Sequence, residues 1–158
     1  MKEILLTQGK VALVDDEDFE RLNQYKWYAS WDRYNWYATR YTHRIAGNRN
    51  LIRMHREIMN APKGIQVDHR NGDGLYNLKE NLRLATTQQN AFNKNAHKDN
   101  KIGVKGVTWK NHARKFRAQI KANNKIIHLG YFSVLGDADS AYRKAEEKYF
   151  GEFARCHM

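Results

Sequence analysis

Four polar residues between positions 68 and 90 carry side chains suited to the hydrolysis of a phosphodiester. Asp68 and His69 are adjacent, and Asn81 and Asn90 follow Asp68 at offsets of 13 and 22 residues. A metal-assisted nuclease needs hard oxygen ligands for a cation and one nitrogen base within reach of the same phosphate. The types and spacing of these residues therefore predict chemistry on nucleic acid.

Each residue has a separate role in this hypothesis. Asp68 is an anionic oxygen ligand for a divalent cation, and the amide oxygen of Asn90 is a neutral one. His69, with an ordinary pKa of about 6.5, can stay neutral at working pH and take a proton from the attacking water. Asn81 bridges backbone groups of the long loop. Plainer interpretations stay open: a surface hydrogen-bonded pair for Asp68 and His69, a turn asparagine for Asn81, and a helix-surface amide for Asn90.

The elements around these residues are predicted to follow the order strand, loop, strand, helix. Residues 65–67 form a strand that runs into the Asp-His pair, and residues 82–84 form a second short strand. Thr86 and Gln89 match a Thr-x-x-Gln capping box, so a helix begins near Thr86. Asn90 then falls in the first turn of that helix, which can direct its side chain back toward the pair.

A bend in the chain is needed if Asp68 and His69 are to serve one site. Neighbouring residues on a strand point to opposite faces of the sheet. The sequence Asn71-Gly72-Asp73-Gly74 follows the pair and favours a tight turn. We therefore expect the strand to bend there, so that Asp68, His69 and Asn90 meet at a common point where a cation can sit.

The first 60 residues are predicted to form a β-rich N-terminal unit. Apolar runs separated by turn residues are typical of strands, and apolar residues three apart after an acidic cap are typical of a short helix. The dense aromatic residues 27–41 are interpreted as core, with base stacking as the alternative. The predicted elements are a hairpin of residues 4–6 and 11–14, a helix with Phe19 and Leu22 capped by Asp15 or Asp16, paired strands at 34–41 and 50–53 across a Gly47-Asn48 turn, and a short helix at 55–60.

The last third of the chain is predicted to form a second domain. Residues 107–109, 116–120 and 126–129 alternate like strands, and apolar residues then recur at helical spacing, namely Ala138, Ala141, Tyr142, Ala145 and Tyr149. Three antiparallel strands packed on one helix is the simplest arrangement that buries both apolar faces. The chain is thus predicted as α+β, with a β-rich unit at 1–60, a chemistry-bearing segment at 61–95, a linker at 96–102 and a second domain at 103–158.

The charge of the chain indicates a polyanionic partner. Its 28 Lys and Arg residues against 17 Asp and Glu give a net charge of +11. Between Lys101 and Gly136 there are eight basic residues and no acidic one. Such a stripe attracts nucleic acid with an affinity that falls steeply as salt rises. A solvated basic surface is the alternative.

The cysteine count and the hydropathy of the chain indicate the cellular compartment in which we expect it. The single cysteine, Cys156, excludes an internal disulfide and a Cys-built zinc site. The sequence shows no charged-then-apolar leader and no apolar run of roughly 18 residues. We therefore expect a cytoplasmic protein with no membrane association, and no obligate protein partner is evident.

The central segment also matches a known motif. The matching stretches are Met54-His55-Arg56, Val67-Asp68-His69, Asn77-Leu78, Asn81-Leu82-Arg83 and Gln89-Asn90. This pattern resembles the HNH nucleases, specifically the phage and intron-encoded kind in which asparagine replaces the last motif histidine. The resemblance implies a ββα-metal (His-Me finger) site with His69 as general base, Asn81 as the residue that holds the loop, and Asp68 and Asn90 as metal ligands.

The same resemblance suggests which further residues contact the substrate and which metal binds. His55 matches a recurrent His-Arg pair and is expected to support the site or contact phosphate. With asparagine in the last motif position, the metal has one charged protein ligand. Its binding is then weak until DNA phosphate completes the shell, which favours Mg²⁺ (or Mn²⁺) over zinc. Three arginines are expected to clamp phosphate, with a solvated surface as the alternative: Arg56, Arg70 and Arg83.

A second likeness covers residues 103–154. The matching residues are Lys105-Gly106-Val107, Trp109, Phe116-Arg117-Ala118, Ile120, Leu129-Gly130, Phe132, Ala138, Ala141-Tyr142, Ala145, Gly151 and Ala154. This pattern is similar to the DNA-binding domain of plant ethylene-response factors, which lays a three-stranded sheet in the major groove. Several family arginines are lysine here, and lysine lacks the fork that reads guanine, so we expect phosphate affinity with a different base specificity. The expected contacts are Lys105, Trp109, Lys110, Arg114, Lys115, Arg117 and Lys121, and the alternative for Trp109 is a core position.

Taken together, these features predict a DNA endonuclease. It would hydrolyse double-stranded DNA to 5′-phosphate and 3′-hydroxyl ends, with His69 activating water and the metal on a phosphate oxygen. The likeness implies a mobile, phage-borne or homing enzyme, which would act in the cytoplasm of a host cell. Two alternatives stay open: a DNA-binding regulator whose nuclease segment is only a scaffold, and an RNA-directed nuclease or RNA-binding protein.

Overall fold

The computed structural model describes residues 1–43, 48–93 and 99–154. Over these ranges the chain is a mixed α+β protein, as predicted, and it forms two compact units, Met1–Ala91 and Phe92–Met158. Three predicted features fall outside the described residues: Gly47 of the turn, residues 96–98 of the linker, and Cys156. No helix in the described ranges has the length and apolar content to cross a membrane.

Unit 1 has three small sheets in its described part. Its strands are β1 (Lys2–Leu5), β2 (Val11–Val14), β3 (Tyr28–Trp31), β4 (Trp36–Tyr41), β5 (Leu51–Arg53), β6 (Gln66–His69), β7 (Tyr76–Asn77) and β8 (Leu82–Ala85). Its helices are a 3-10 turn (Thr7–Gly9), α1 (Asp16–Asn23), α2 (Met54–Ile58) and α3 (Thr87–Phe92), the last of which reaches the boundary of the unit.

Local sequence signals account for most of these elements. The predicted hairpin is β1 paired antiparallel with β2, and the predicted strands in the aromatic region are β4 and β5, which also pair antiparallel. Helix α1 begins after Asp15, as predicted, but the Asp15 side chain makes no capping hydrogen bond to the helix. Its carboxylate instead accepts one from the backbone N–H of Lys79, at 2.8 Å, and so ties the central segment to the N-terminus.

One hydrophobic core joins the N-terminal segment to the central segment. Trp27 and Met54 are buried in the same cluster as Val67. Strand β7 pairs in parallel with β2, with Asn77 opposite Val14. An isolated hairpin is marginally stable in water, and neither segment has more than small sheets of its own. The two segments therefore form one unit instead of the two that we expected.

Unit 2 is a three-stranded antiparallel sheet packed on one helix. Its elements are β9 (Val107–Lys110), β10 (Lys115–Ala122), β11 (Lys125–Phe132), α4 (Leu135–Phe150) and a 3-10 turn (Gly151–Phe153), with β10 in the centre of the sheet. Val107, Ala118 and Ala138 form a buried cluster that joins the sheet to α4. The three strands and the helix confirm the sequence-based prediction for this region, and α4 ends at the predicted Gly151.

Candidate active site

A buried ion pair holds Asp68. Asp68 lies opposite Arg83 in the antiparallel pairing of β6 with β8. Nε of Arg83 donates to Oδ2 of Asp68 at 2.7 Å, and Nη2 of Arg83 lies 2.6 Å from the same oxygen as an ion pair. The two residues are only 5% and 6% exposed. The guanidinium therefore balances the carboxylate charge in a place from which water is largely excluded.

Three side chains surround the imidazole ring of His69. Its Nε2 lies 3.1 Å from Oδ1 of Asn77, a residue with no exposed surface. The ring of His55 stands at 86° to it, with the centroids 5.0 Å apart, and the ring of Tyr37 lies at 6.0 Å. Burial lowers the pKa of His69, against the opposing effects of the Asn77 hydrogen bond and the Asp68 carboxylate. A neutral ring, able to accept a proton, is therefore favoured.

His55 is a buried residue whose ring packs against that of His69. It is 4% exposed, and burial above all, followed by the effects of the neighbouring His69 and Arg53, lowers its pKa to about 2. Its Nδ1 has no hydrogen-bond partner among the described residues. A ring so deeply buried and neutral near pH 7 is suited to packing against His69. Of the two expected roles, support of the site and phosphate contact, the burial favours support.

Asn81 organises the loop that follows His69. Its Oδ1 accepts from the backbone N–H of Asn71 at 3.0 Å, and its Nδ2 donates to the side chain of Asn71 and to the carbonyl of Tyr76, at 3.0 and 2.7 Å. Between these anchors Gly72 adopts a φ of 78°, which a side chain would strain. The bridging contacts predicted for Asn81 are therefore present, while its part in a reaction stays a prediction.

The helix that carries Asn90 begins as its sequence indicates. The backbone N–H of Thr86 donates to the Gln89 side chain at 2.8 Å, and the backbone N–H of Gln89 donates to Oγ1 of Thr86 at 3.2 Å, which confirms the capping box. Asn90 is half-buried and donates through Nδ2 to Oε1 of Gln66. Gln66 and Asp68 are two apart on β6 and so share one face of the strand.

The predicted bend between Asp68 and His69 stays a prediction. The pairing of β6 with β8 continues without a shift through both residues, opposite Arg83 and Leu82. Alternation along a regular strand puts Asp68 on the same face as Gln66. Burial lowers the pKa of His69 and raises that of Tyr37, and the carboxylate of Asp68 nevertheless acts to raise both, so it lies near the rings that surround His69. The two groups are adjacent, but the side chains of Asp68, His69 and Asn90 are each held by a different partner.

The donor set on the Asp68 face fits a hard divalent cation. Asp68 is two positions from Gln66 on β6, and Gln66 accepts a hydrogen bond from Nδ2 of Asn90. The carboxylate of Asp68 and the amide oxygen of Asn90 are of the kind that Mg²⁺ prefers, and Mg²⁺ commonly takes only one or two carboxylates and completes its shell with phosphate and water. Within the described ranges, no group of three or more His, Cys, Asp or Glu side chains could hold a metal.

Two of the three predicted phosphate clamps are engaged inside unit 1. Arg56 donates to three backbone carbonyls, those of Ile65, Ala61 and Pro62, at 2.5, 3.0 and 3.0 Å. Arg83 is committed to the carboxylate opposite it on the sheet. Arg70, the third, is half-buried just after β6, beside the loop that Asn81 organises. The structure thus gives Arg56 and Arg83 structural contacts that a phosphate would have to share or replace.

The face of the unit 2 sheet away from α4 is basic. Residues alternate along β10, so that Ala118 and Ile120 turn toward the helix and Lys115, Arg117 and Lys121 turn away. Lys110 pairs opposite Lys115 and lies on the same outer face. No acidic residue occurs anywhere between positions 107 and 132. Arg114, at a φ of 49° in the turn before β10, is exposed next to this surface. We call these five residues the basic face.

Two residues predicted to contact DNA lie elsewhere in unit 2. Nζ of Lys105 is 2.9 Å from the carboxylate of Glu146, which is 1% exposed and needs a cation beside it. Trp109 pairs opposite Phe116, which packs on the core beneath α4, and its ring meets that of Phe116 at 4.8 Å. Trp109 therefore lies at the helix-facing edge of the sheet, 43% exposed, and belongs neither to the basic face nor to the buried core.

Three residues that the structure brings to the site had no role predicted from the sequence. Asn77 was part of the motif that matches the HNH nucleases, but no function was predicted for it. Gln66 lies two positions before Asp68, and Tyr37 belongs to a strand that is distant in sequence. Gly74 lets the Tyr37 ring pack against the backbone of the loop that follows His69, because a Cβ atom at Gly74 would lie 2.6 Å from that ring. The alternation of β6 could have indicated Gln66, but no local signal indicates Tyr37.

Comparison with known proteins finds similarity to one protein of a giant virus and one of a phage. It is 31% identical over 153 residues to an uncharacterized HNH endonuclease of Acanthamoeba polyphaga mimivirus, which covers 93% of this chain and 74% of the relative. It is 33% identical over 94 residues to Protein 3.8 of Escherichia phage T7, which covers 60% of this chain and 77% of that protein. No model of a protein family and no solved structure matches the chain. The likeness of residues 103–154 to the plant domain stays a prediction.

Proposed function

Because the chain belongs to the HNH endonuclease family, we propose that it is a metal-dependent enzyme that hydrolyses phosphodiester bonds in duplex DNA. The observation that carries this proposal is the buried pair at the end of β6. A carboxylate and an imidazole, each 5% exposed, occupy adjacent positions and are both held by hydrogen bonds. Buried ionisable groups are costly to maintain, and they cluster at functional sites.

The reaction proposed for His69 is general-base catalysis. Its neutral imidazole takes a proton from water while the water oxygen bonds to phosphorus and the bond from phosphorus to the 3′ oxygen breaks. The leaving oxygen gains a proton from solvent, so the ends are 5′-phosphate and 3′-hydroxyl. Asn81 keeps the loop beside the ring in one shape through its three hydrogen bonds.

Asp68 and Asn90 are the residues proposed to hold the cation, Mg²⁺ or Mn²⁺. A divalent cation bound there supplies charge neutralisation on the phosphate and at the leaving 3′ oxygen. Arg83 neutralises Asp68 in the structure, so a cation bound there would have to share the carboxylate with the guanidinium.

The test of this proposal is cleavage of supercoiled plasmid with Mg²⁺, with and without a chelator. His69→Ala should lower the rate about 10²- to 10⁴-fold, the usual contribution of a general base. His43→Ala is the matched control, because His43 is an exposed histidine of the same unit. DNA affinity should be the same in both variants, and cleavage rates are compared at a temperature at which the unfolding transitions show that both variants are folded. If His69→Ala nicks plasmid as fast as His43→Ala, His69 is not the base.

The same assay separates the nuclease from the regulator alternative. A regulator would bind duplex DNA equally well with and without Mg²⁺ and would cleave nothing in either condition. Competition between duplex DNA and RNA across a salt series tests the RNA alternative. Relatives in a giant virus and a phage support a mobile or phage-borne origin, and the enzyme would then act in the cytoplasm of a host cell.

Unit 2 is proposed to grip the DNA backbone with its basic face. Removing one lysine that binds a phosphate should lower the slope of log affinity against log salt by about 0.9. Lys115→Gln with Lys121→Gln should therefore lower that slope by about 1.8 in a titration of duplex DNA. Lys144→Gln with Lys148→Gln, two exposed lysines on α4, is the matched control. Equal slopes for the two double variants would remove the basic face from DNA binding.

A further inference from the structure

The hydrogen bond between His69 and Asn77 joins the imidazole to a side chain that is fixed on a strand. Both residues are buried, and Asn77 lies in β7, where its backbone pairs with Val14 of β2. The amide is thus anchored to a sheet and not to a mobile loop. A partner held on a strand can fix the rotation of a ring, because it does not move with the ring.

The orientation of the Asn77 amide follows from its other contacts. Its Nδ2 lies 3.2 Å from the carbonyl oxygen of Leu75 and 3.7 Å from Sδ of Met54. Both of these atoms only accept hydrogen bonds. A flipped amide would set its oxygen against the carbonyl oxygen of Leu75, so the NH₂ group must face these two acceptors. The oxygen of Asn77 therefore faces His69.

This orientation determines the tautomer of His69. An amide oxygen has no hydrogen to give, so Nε2 of His69 must be the donor in the bond to Asn77. A neutral imidazole carries one N–H, so hydrogen on Nε2 puts the lone pair on Nδ1. The perpendicular ring of His55 and the ring of Tyr37 further restrict rotation of the imidazole.

We propose that Asn77 is a positioning residue that sets the tautomer and the ring orientation of His69, and thereby makes Nδ1 the atom that takes the proton from water. This inference rests on the proposed function for its catalytic part. The direction of the hydrogen bond also means that Oδ1 of Asn77 stabilises the ring after Nδ1 has gained a proton, because Nε2 then still donates to it.

The tautomer can be measured directly in the full-length protein. Long-range ¹⁵N–¹H correlation spectra of protein labelled only at histidine nitrogen distinguish hydrogen on Nε2 from hydrogen on Nδ1. The chain has seven histidines, and the signals of His69 are assigned by their loss in His69→Ala. The expected result is hydrogen on Nε2. Hydrogen on Nδ1, or a doubly protonated ring at neutral pH, would overturn the proposal.

Two variants then test the role of the contact in catalysis. Asn77→Leu removes the acceptor and should lower kcat on the order of 10²-fold with KM unchanged, because substrate binding does not involve the buried amide. Asn77→Asp keeps the acceptor that faces His69 and adds a charge that favours the protonated ring, but its second oxygen replaces the NH₂ group that faces the carbonyl of Leu75, so its unfolding transition is measured first. It should retain cleavage, with the acid limb of its pH–rate profile moved to higher pH.

A loss of buried polar contacts alone must not mimic this result. Thr39→Val is the control, because Thr39 is 4% exposed in unit 1 and its Oγ1 donates to the carbonyl of Tyr28 at 3.4 Å, a bond in which His69 takes no part. If Asn77→Leu keeps the kcat of Thr39→Val, or if Asn77→Asp shows no shift of its acid limb, Asn77 is only structural. A wild type that cleaves no DNA would refute the proposed function and the catalytic part of this inference, while the spectra still decide the tautomer.

Discussion

Replacing Arg83 by methionine should destabilise unit 1 strongly, and the size of the effect follows from burial. Arg83 and Asp68 meet at 2.6 Å with 6% and 5% of their surfaces exposed. Removing one member of such a pair leaves the charge of the other in a poorly solvated place, which typically costs about 3 to 5 kcal/mol. Exposed pairs cost about 0 to 1 kcal/mol. The loss of unfolding free energy therefore distinguishes a buried pair from an exposed one.

The assay is urea unfolding of four proteins in the presence of a chelator: wild type, Asp68→Asn, Arg83→Met and the double variant. A loss of about 4 kcal/mol divided by a slope of about 2 kcal/mol per molar urea lowers the midpoint by roughly 2 M. The double variant should be less destabilised than the sum of the single variants, because both charges disappear together. Additive effects, or single losses below about 1 kcal/mol, would refute the buried-pair argument.

Adding Mg²⁺ to the same four proteins tests Asp68 as a cation ligand. Without Arg83 as competitor, Asp68 should bind the cation more tightly, and saturation at about 100 times Kd would return about 2.7 kcal/mol to Arg83→Met. The wild type should gain less, and the double variant should gain nothing. If Mg²⁺ leaves the stability of Arg83→Met unchanged, Asp68 does not bind the cation in the free protein.

Three further predictions concern the surroundings of His69. Burial lowers the pKa of His55 to about 2, so below the ordinary value near pH 6.5 the unfolded chain binds a proton at this residue that the folded chain does not. Through His55, the free energy of unfolding should therefore fall by roughly 2 kcal/mol between about pH 6.5 and pH 5. In His55→Leu the slope of unfolding free energy against pH should be smaller than in the wild type by the equivalent of up to one proton. Gly74→Ala should cost about 1 to 3 kcal/mol in urea unfolding, because its Cβ would meet the Tyr37 ring at 2.6 Å; an unchanged midpoint would mean that the loop moves away freely. Asn81→Ala should cost about 2 to 4 kcal/mol in the same assay, since the variant cannot form the three hydrogen bonds that hold the loop.

Features that depend on neighbours in the chain could be predicted from the sequence. The capping box needs only Thr86 and Gln89, three residues apart, and both of its hydrogen bonds are present. The hairpin of β1 and β2 follows from two apolar runs and the turn between them. The three strands and the helix of unit 2 follow from a change of apolar period from two to about 3.6. In each case the signal and the structure lie within one or two elements.

The partners of charged and polar side chains could not be predicted in this way. Register decides that Arg83 faces Asp68, and a slip of one residue would turn it to the other face of the strand. Lys105 lies 41 positions from Glu146, so its distance from the basic face is decided by how α4 packs on the sheet.

The sequence by itself determined which residues are able to do chemistry, the order of the elements that carry them, and the positive charge of the region that follows. Only the tertiary structure decided which hydrogen bonds, ion pairs and ring contacts those residues make, and with which partners. It brought Asn77, His55 and Tyr37 from three separate elements to the ring of His69. The physical reason is that residue types and local periods are properties of the chain, whereas contacts between distant elements arise only when those elements bury a common core.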